Sequence, residues 1–556
     1  MKSSPDRRSS CAIAVHRIPF EGPSVHLPAK EIVGSKAHCL MRMAGRGLAV
    51  PPAFVISTET CRDYVAHGAA ALDGLDGLLK RELAHLATVA GRGFADARRP
   101  LLVSVRSGAA VSMPGMMETV LNIGLGSATL RALVRATGNP RLAQDCRRRL
   151  VQQYGEVVHG IAPARFEERL KAVLSERGAT EVGELDTAEL ERLAKVFEDE
   201  FEIQTGQAFP EDPLVQLRSA IEAVLRSWSS DRATTYRQLY SIPDDLGTAV
   251  TVQAMVFGNL GPTSGSGVGF TRDPANGNNE LYVDFLPNVQ GEDIVAGRHR
   301  ASGLDELARR APTAHRALIE AKDVLEREFH DMQDFEFTVE HGRLQLLQTR
   351  AGKRTPLAAL RIAHDMVAKK IISPSEGLAT LAGFELDNIE ETGLQTCPGL
   401  TSIATGTPAS VGVAVGAAAF DPDRALQMGR SGKAVILLRR TAETEDIEAL
   451  AKVAGLVTAQ GARTSHAAVV ARQLGKPCIV ACSGLSIDPS GRRATVGSEQ
   501  AAEGDLISID ASSGLVFKGE LEIVRTKPTE LIAEIRGWRE AAPAVNRGNK
   551  LKRPAD

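Results

Sequence analysis

One segment limits the fold of this chain more than any other: Leu456–Cys482, LVTAQGARTSHAAVVARQLGKPCIVAC, where an apolar run leads into a short helix that begins at His466. Thr464 or Ser465 can cap that helix, Ala467–Leu474 has helical composition, and Gly475 with Pro477 ends it. A buried strand then follows, flanked by Cys478 and Cys482. An anion carried on His466 would sit at the positive end of the helix, near backbone N–H groups, with Arg463 and Arg472 as candidate counter-charges. The histidine therefore reads as a phosphohistidine station, although a lone T-S-H more often marks a histidine that merely caps or packs a helix.

Composition bounds the rest. At ~100 to 200 residues per domain, 556 residues correspond to three or four domains, and 43% hydrophobic content allows sizeable cores. A net charge of −2 offers no electrostatic case for nucleic acid or an anionic membrane, and the basic stretch Arg547–Arg553 is short enough to be a solvated terminus. Near the start, the apolar stretch after the basic residues is too short for a secretory core, and no run reaches membrane-spanning length, so the expected location is the cytoplasm. Seven cysteines, an odd number without a C-x-x-C pair, suit reduced thiols better than a disulfide frame or a zinc site.

Four regions separate along the chain. From Glu31 to about Leu125, Gly/Pro punctuation alternates with short apolar runs such as Ala53–Ile56, as in α/β units. Ala128 to about Arg237 is rich in Ala, Leu, Glu and Arg at helical spacing and reads as a helical insert. Strand signals return over Ala249–Gln348, where FEFTVEHGRLQLLQTR predicts a hairpin closed at His341-Gly342. After a polar, helical connector from Thr355 to Glu391, a Gly/Ala/Val-rich domain runs from about Leu400 to Lys518 and carries His466.

Three stretches carry candidate nucleotide chemistry. In LLVSVRSGAAVSMPGMMETVLNIGL, Leu101–Leu125, an apolar strand delivers Arg106 and then a loop whose glycines, Gly108 and Gly115, allow backbone N–H groups close to phosphate. In MQDFEFTVEHGRLQLLQTRAGKRT, Met332–Thr355, Asp334 and Glu336 alternate along one strand and share a face, with Gln348 and Arg350 two apart on the partner strand. Two carboxylates on one face repel unless a cation lies between them, and magnesium shared with nucleotide phosphates satisfies that need. The third stretch, IVGSKAHCLMRMAGRGLAVPPAFVISTETC, Ile32–Cys61, sets Lys36 in a small-residue loop.

These strings resemble the phosphoenolpyruvate-utilising family, which includes pyruvate phosphate dikinase, phosphoenolpyruvate synthase and rifampin phosphotransferase. The Leu101–Leu125 loop is similar to the dikinase branch almost word for word, while Ala462 and Arg463 depart from its G-G-M-T-S-H pattern. The resemblance runs from about Glu31 to about Gly519 and implies an α/β multidomain chain: a split ATP-grasp nucleotide-binding domain with a helical insert, followed by a swivelling phosphohistidine domain. The implied segments are residues 1–127 and 246–354 for the ATP-grasp parts, 128–245 for the insert and 355–399 for a helical connector. Residues 400–520 form the phosphohistidine domain and 521–556 a C-terminal tail. His466 and Arg106 would be catalytic. Lys36, Arg106, Gly115, Glu292, Glu336, Gln348 and Arg350 would line the nucleotide, Asp334 and Glu336 would hold Mg2+, and Thr464 is a candidate site of regulatory phosphorylation.

The implied activity is an ATP-dependent phosphotransfer, with orthophosphate as co-substrate, onto a catalytic histidine. In the family the last acceptor, pyruvate, is bound on a (β/α)₈ barrel of ~250 residues, and the 37 residues from Glu520 to Asp556 cannot hold one. The expectation is therefore a partial phosphotransferase whose acceptor site lies on a separate barrel partner, with a homo-oligomer left open. Ser35 and Ala37 stand where the family has glycines around Lys36, which predicts a shifted lysine or weakened ATP binding. His38 in the same loop reads as incidental. The alternatives are a synthase-type or other-acceptor transferase, and a non-catalytic nucleotide-binding regulatory remnant.

Overall fold

Five strands in the first 256 residues form one sheet, and its central strand finds both of its partners far back along the sequence. The computed structural model describes residues 13–19, 27–111, 113, 118–295, 303–395, 400–441, 447–461, 466–488 and 491–541. The chain divides between Val256 and Phe257 into two units.

The first unit is built on a five-stranded antiparallel sheet in the order Val15–Ile18, Ala53–Ile56, Ala249–Ala254, Val103–Gly108, Thr119–Ile123. All six residues of the central strand Ala249–Ala254 are buried, because it is paired on both edges and covered by helices. Between Thr119–Ile123 and that strand the chain is helical: Ser127–Thr137, Pro140–His159, Pro163–Arg177, Thr187–Thr205, Pro213–Ser227 and Asp231–Leu239. Their starts are locally encoded. Asp186 accepts from Glu189 N at 2.9 Å while Glu189 accepts from Asp186 N at 2.7 Å, a reciprocal cap. Leu190, Leu193, Phe197 and Phe201 then recur at helical spacing and are buried. Arg147, also buried, is held by Glu198, Glu211 and the Leu125 carbonyl.

The second unit opens with a four-stranded antiparallel sheet, ordered Arg343–Ala351, Gln333–Glu340, Gly265–Phe270, Tyr282–Pro287. The hairpin turn lies at His341 and Gly342, both at positive φ (49° and 75°), as an asparagine-glycine-like pair would be. The alternating glycines of GSGVGF are spacers for aromatic rings. A Cβ on Gly267 would lie 2.1 Å from the Phe337 ring and one on Gly265 2.4 Å from that of Phe285.

The connector and the C-terminal segment both differ from the sequence reading. Helix Pro356–Ala368 is not polar: Leu357, Ala358, Ala359, Leu360, Ile362, Ala363 and Met366 are all buried. One set of these packs on Phe270, Tyr282 and Met332, the other on Ile532 and Ile535. The start of the connector is therefore fixed to the sheet, not free to swing, and Arg272 fastens it further. That arginine is fully buried and reaches Glu326 at 2.9 and 2.8 Å and Asp365 at 2.5 Å. Residues 521–556, read as a tail, begin instead with strand Ile523–Thr526, paired antiparallel with Glu391–Leu394, and helix Thr529–Ala541. The apolar stripe of that helix completes the core against the connector, a partnership no local pattern announces.

The remaining domain is an eight-stranded sheet, Ala404–Thr405, Leu515–Lys518, Leu506–Asp510, Val413–Ala419, Val435–Arg439, Gly455–Thr458, Cys478–Val480, Thr407–Ser410. Four consecutive strands of it, Val413–Ala419 to Cys478–Val480, are mutually parallel. Among the described residues no helix is long and apolar enough to cross a membrane.

Candidate active site

The fully buried strand Gly455–Thr458 precedes helix His466–Gln473, and Cys478–Val480 runs parallel to that strand. This crossover brings the chain into His466 from the carboxyl edge of the parallel strands, where open α/β sheets place their ligands. Gly115, Arg463 and Thr464 lie outside the described residues. At that same edge Arg439 is the cross-strand partner of Thr458, whose buried hydroxyl has no hydrogen-bond partner. The sequence reading passed over this pair; its signal was the arginine that closes the apolar run VILLR.

Arg472, expected to face the charge on His466, does something else. It is 1% exposed, and its Nε and Nη2 donate to the Ala409 carbonyl at 3.1 and 2.6 Å. Six residues beyond the helix start, it points to the far end, so the structure corrects its assignment as a counter-charge.

Lys36 lies within helix Lys30–Gly45, just after a break at Gly34, whose φ is 77°. A Cβ on Gly34 would meet the Gly108 carbonyl oxygen at 2.1 Å, so only glycine lets the helix break and the strand end touch. Ser35 and Ala37 are accommodated in the local backbone. Ser35 donates both its N–H (2.9 Å) and its hydroxyl (3.0 Å) to Ala109 O, Ala37 is buried, and neither needs positive φ. His38 Nδ1 donates to the Pro28 carbonyl at 3.0 Å. Lys36 Cβ lies 3.9 Å from where a Cβ on Gly108 would stand. Two residues back along that strand, Arg106 is its one residue that is not buried. Arg106 is flanked in register by Thr119 and Thr251, and the buried Thr251 hydroxyl has no hydrogen-bond partner. A bare glycine approach, two cationic side chains and an unsatisfied hydroxyl on the arginine's face suit a polyphosphate.

On the second sheet the register sets Asp334 opposite Arg350 and Glu336 opposite Gln348, so all four side chains share one face. Arg350 Nε donates to Asp334 Oδ2 at 2.8 Å. Burial pushes the Asp334 carboxyl above the ordinary range, and the Glu336 charge adds to this while Arg350 opposes it. An added cation at this face would favour the ionised carboxyl and offset the like charge, which makes the pair chemically suited to magnesium. Among the described residues no three His, Cys, Asp or Glu side chains converge on one point. Two carboxylates supply part of an octahedral shell, and phosphate oxygens and water suit the remainder. Glu292 stands on the short helix Gly291–Val295, whose Ile294 packs on Val268, the register partner of Glu336. Asp284, 3% exposed, shares this face through its pairing with Val268. It went unnoticed in the sequence, although the alternation of LYVDFLP carries it.

Two parts of the chain match known families. Residues 75–313 match the family described as pyruvate phosphate dikinase, AMP/ATP-binding domain. Residues 432–514 match the PEP-utilising enzyme, mobile domain. The chain is 40% identical over 95% of its length to pyruvate, phosphate dikinase of Rhizobium meliloti, covering 60% of that protein. It is 41% identical over 93% of its length to a chloroplastic pyruvate, phosphate dikinase of Arabidopsis thaliana, covering 54% of it. Against the Clostridium symbiosum enzyme it is 38% identical over 92% of its length, covering 59% of that relative. The chain thus spans a little over half the length of these relatives. Over that span its sequence is similar to the pyruvate, phosphate dikinases, with matches to their AMP/ATP-binding domain and to the mobile domain of PEP-utilising enzymes.

Proposed function

We propose that this chain catalyses ATP-dependent phosphotransfer onto His466, the ATP-side half of a dikinase reaction. Arg106 and Lys36 hold the phosphates of ATP, and Asp334 and Glu336 hold magnesium, with Glu292, Gln348 and Arg350 as further contacts. Bound there, magnesium neutralises charge on the phosphates. The neutral imidazole of His466 attacks the β-phosphorus and the bond to the α-phosphate breaks, so AMP leaves with the electron pair. Orthophosphate then takes the outer phosphoryl as pyrophosphate, leaving one phosphate on His466. Thr464 is the proposed site of regulation. Arg439, at the sheet edge from which the chain enters the His466 helix, is a better-placed counter-charge than Arg472.

The observation that carries this reading is the shared face of Asp334, Glu336, Gln348 and Arg350, with a carboxyl held above its ordinary range by burial and a like charge. The altered Lys36 loop, the main argument for a non-catalytic remnant, is locally satisfied by the Ser35 bonds. Pyruvate as final acceptor is proposed through a PEP/pyruvate-binding barrel, in the same chain or a partner. The test is intact mass after incubation with Mg-ATP and orthophosphate. One acid-labile, base-stable phosphate is expected, lost in His466→Ala, with pyrophosphate as co-product. Release of orthophosphate alone would indicate synthase-type chemistry, and acid-labile label persisting in His466→Ala would overturn the assignment.

A further inference from the structure

A cavity of about 540 Å³ opens between the last turns of helix Pro312–Phe329 and the end of helix Pro356–Ala368, and none of the residues assigned to ATP, magnesium or His466 lines it. Most of the charge around it is paired. Buried Arg272 holds Glu326 and Asp365, Lys369 lies 3.0 Å from Asp365, and Lys322 lies 3.6 Å from Asp323. Two lining cations are left over, Arg327 and Lys370, both exposed, and among the described residues neither has an ion-pair partner. Lys370 also carries a backbone cost. Its φ is 57°, in the left-handed region where glycine ends a helix without a Cβ penalty. The helix end does not call for a lysine at this point. The N–H groups of Lys369, Lys370 and Ile371 already take the carbonyls of Asp365, Val367 and Met366 at 2.9 Å each, and Lys369 supplies a cation to the negative helix end. Asn279 adds a neutral donor to the lining: its Oδ1 accepts from Lys322, which leaves its amide N–H groups to donate.

We propose that this cavity is a binding site for a small phosphate monoester, separate from the nucleotide site. Arg327 and Lys370 bind the dianion, Asn279 donates to a phosphate oxygen, and Asp323 accepts from a hydroxyl on the organic part. Two surplus cations match the two charges of a phosphate monoester, and a guanidinium can offer paired N–H donors to its oxygens. The volume suits a small metabolite, since ligand sites run from about 300 to 1,000 Å³. The occupant touches both helices that Arg272 ties together through Glu326 and Asp365, so binding stabilises the second unit as well as filling the cavity.

Isothermal titration calorimetry of the full, nucleotide-free chain with glycerol 3-phosphate tests this, with succinate and glycerol as comparison ligands. One site per chain is expected. Arg327→Gln and Lys370→Gly should each weaken binding about tenfold, the loss for one charge-assisted contact. Affinity should also fall as pH drops through about 6, where a phosphate monoester takes up its second proton. Lys370→Gly separates a ligand role from a structural one. It removes the cation and relieves the left-handed strain, so its urea midpoint should hold or rise while binding is lost. None of these measurements involves ATP or His466, so the site stands or falls apart from the phosphotransfer reading. Absence of saturable heat up to about 10 mM, or affinity within about twofold of wild type in both variants, would overturn the site. So would succinate binding as tightly as the phosphate ester, or a lower urea midpoint in Lys370→Gly.

Discussion

Arg106 and Glu336 are both set by strand alternation, and neither is buried core. Arg106→Ala removes the proposed phosphate clamp and Glu336→Ala the proposed metal ligand, each expected to slow labelling of His466 by about a hundredfold, or ~3 kcal/mol of transition-state stabilisation, with the fold unchanged. Undiminished labelling with a native circular dichroism spectrum would remove that residue from the site. Asp145 is a different kind of residue. Burial pushes its carboxyl up, yet Arg149 and Arg148, at 2.9 and 2.7 Å, prevail and hold it far below its ordinary value. A carboxyl depressed in the folded state stabilises the protein above its unfolded pKa of about 3.9 and loses that contribution as pH falls below it. Asp145→Asn should therefore destabilise the protein at pH 7 and flatten the loss of stability between about pH 5 and 3. Urea midpoints measured across that range check this, and an unchanged pH slope would refute it.

The elements of the second unit are joined by contacts that can be broken one at a time. Arg272→Met leaves Glu326, 2% exposed, as a buried charge without its main partner, at an expected cost of about 3–5 kcal/mol. Ile535→Ala empties a position that is fully buried between the C-terminal helix and the connector, and should cost about 2–5 kcal/mol. Denaturant unfolding measures both. A near-zero effect for Ile535→Ala would restore the reading of residues 521–556 as a tail. The antiparallel pair Glu391–Leu394 and Ile523–Thr526 sets the entry and exit of the His466 domain side by side. Ion pairs Arg361–Glu391 (2.9 Å) and Arg525–Glu390 (3.3 Å) flank it. Motion of that domain is therefore expected to pivot beyond this clamp, not within helix Pro356–Ala368.

For the whole molecule, a phosphohistidine formed at one site and used at another predicts stoichiometry before turnover. The 556-residue chain with Mg-ATP, orthophosphate and pyruvate should release AMP and pyrophosphate in a single burst, about one per chain, and form no phosphoenolpyruvate. The acceptor step needs an enolate held beside a metal and a proton donor, a site that the proposed reading assigns to a barrel. Addition of a PEP/pyruvate-binding barrel should convert the burst into steady turnover whose rate follows barrel concentration. Phosphoenolpyruvate made by the homogeneous chain alone would place a pyruvate site within it.

What the sequence determines by itself is whatever depends on neighbours a few residues apart. Period-two alternation set Asp334 beside Glu336, His341-Gly342 closed their hairpin, and the Asp186–Glu189 cap started its helix, since each rests on local φ/ψ and hydrogen-bond preferences. The apolar run before His466 likewise announced a strand entering a helix. What only tertiary structure decides is which distant surfaces meet. Val103–Gly108 finds Ala249–Ala254 across the whole helical region, Glu391–Leu394 finds Ile523–Thr526, and Arg472 turns from its expected phosphate to the Ala409 carbonyl and the Phe270 ring. These choices follow from burial of complementary surfaces over long loops, where closure entropy grows only slowly with length and no local pattern records the partner.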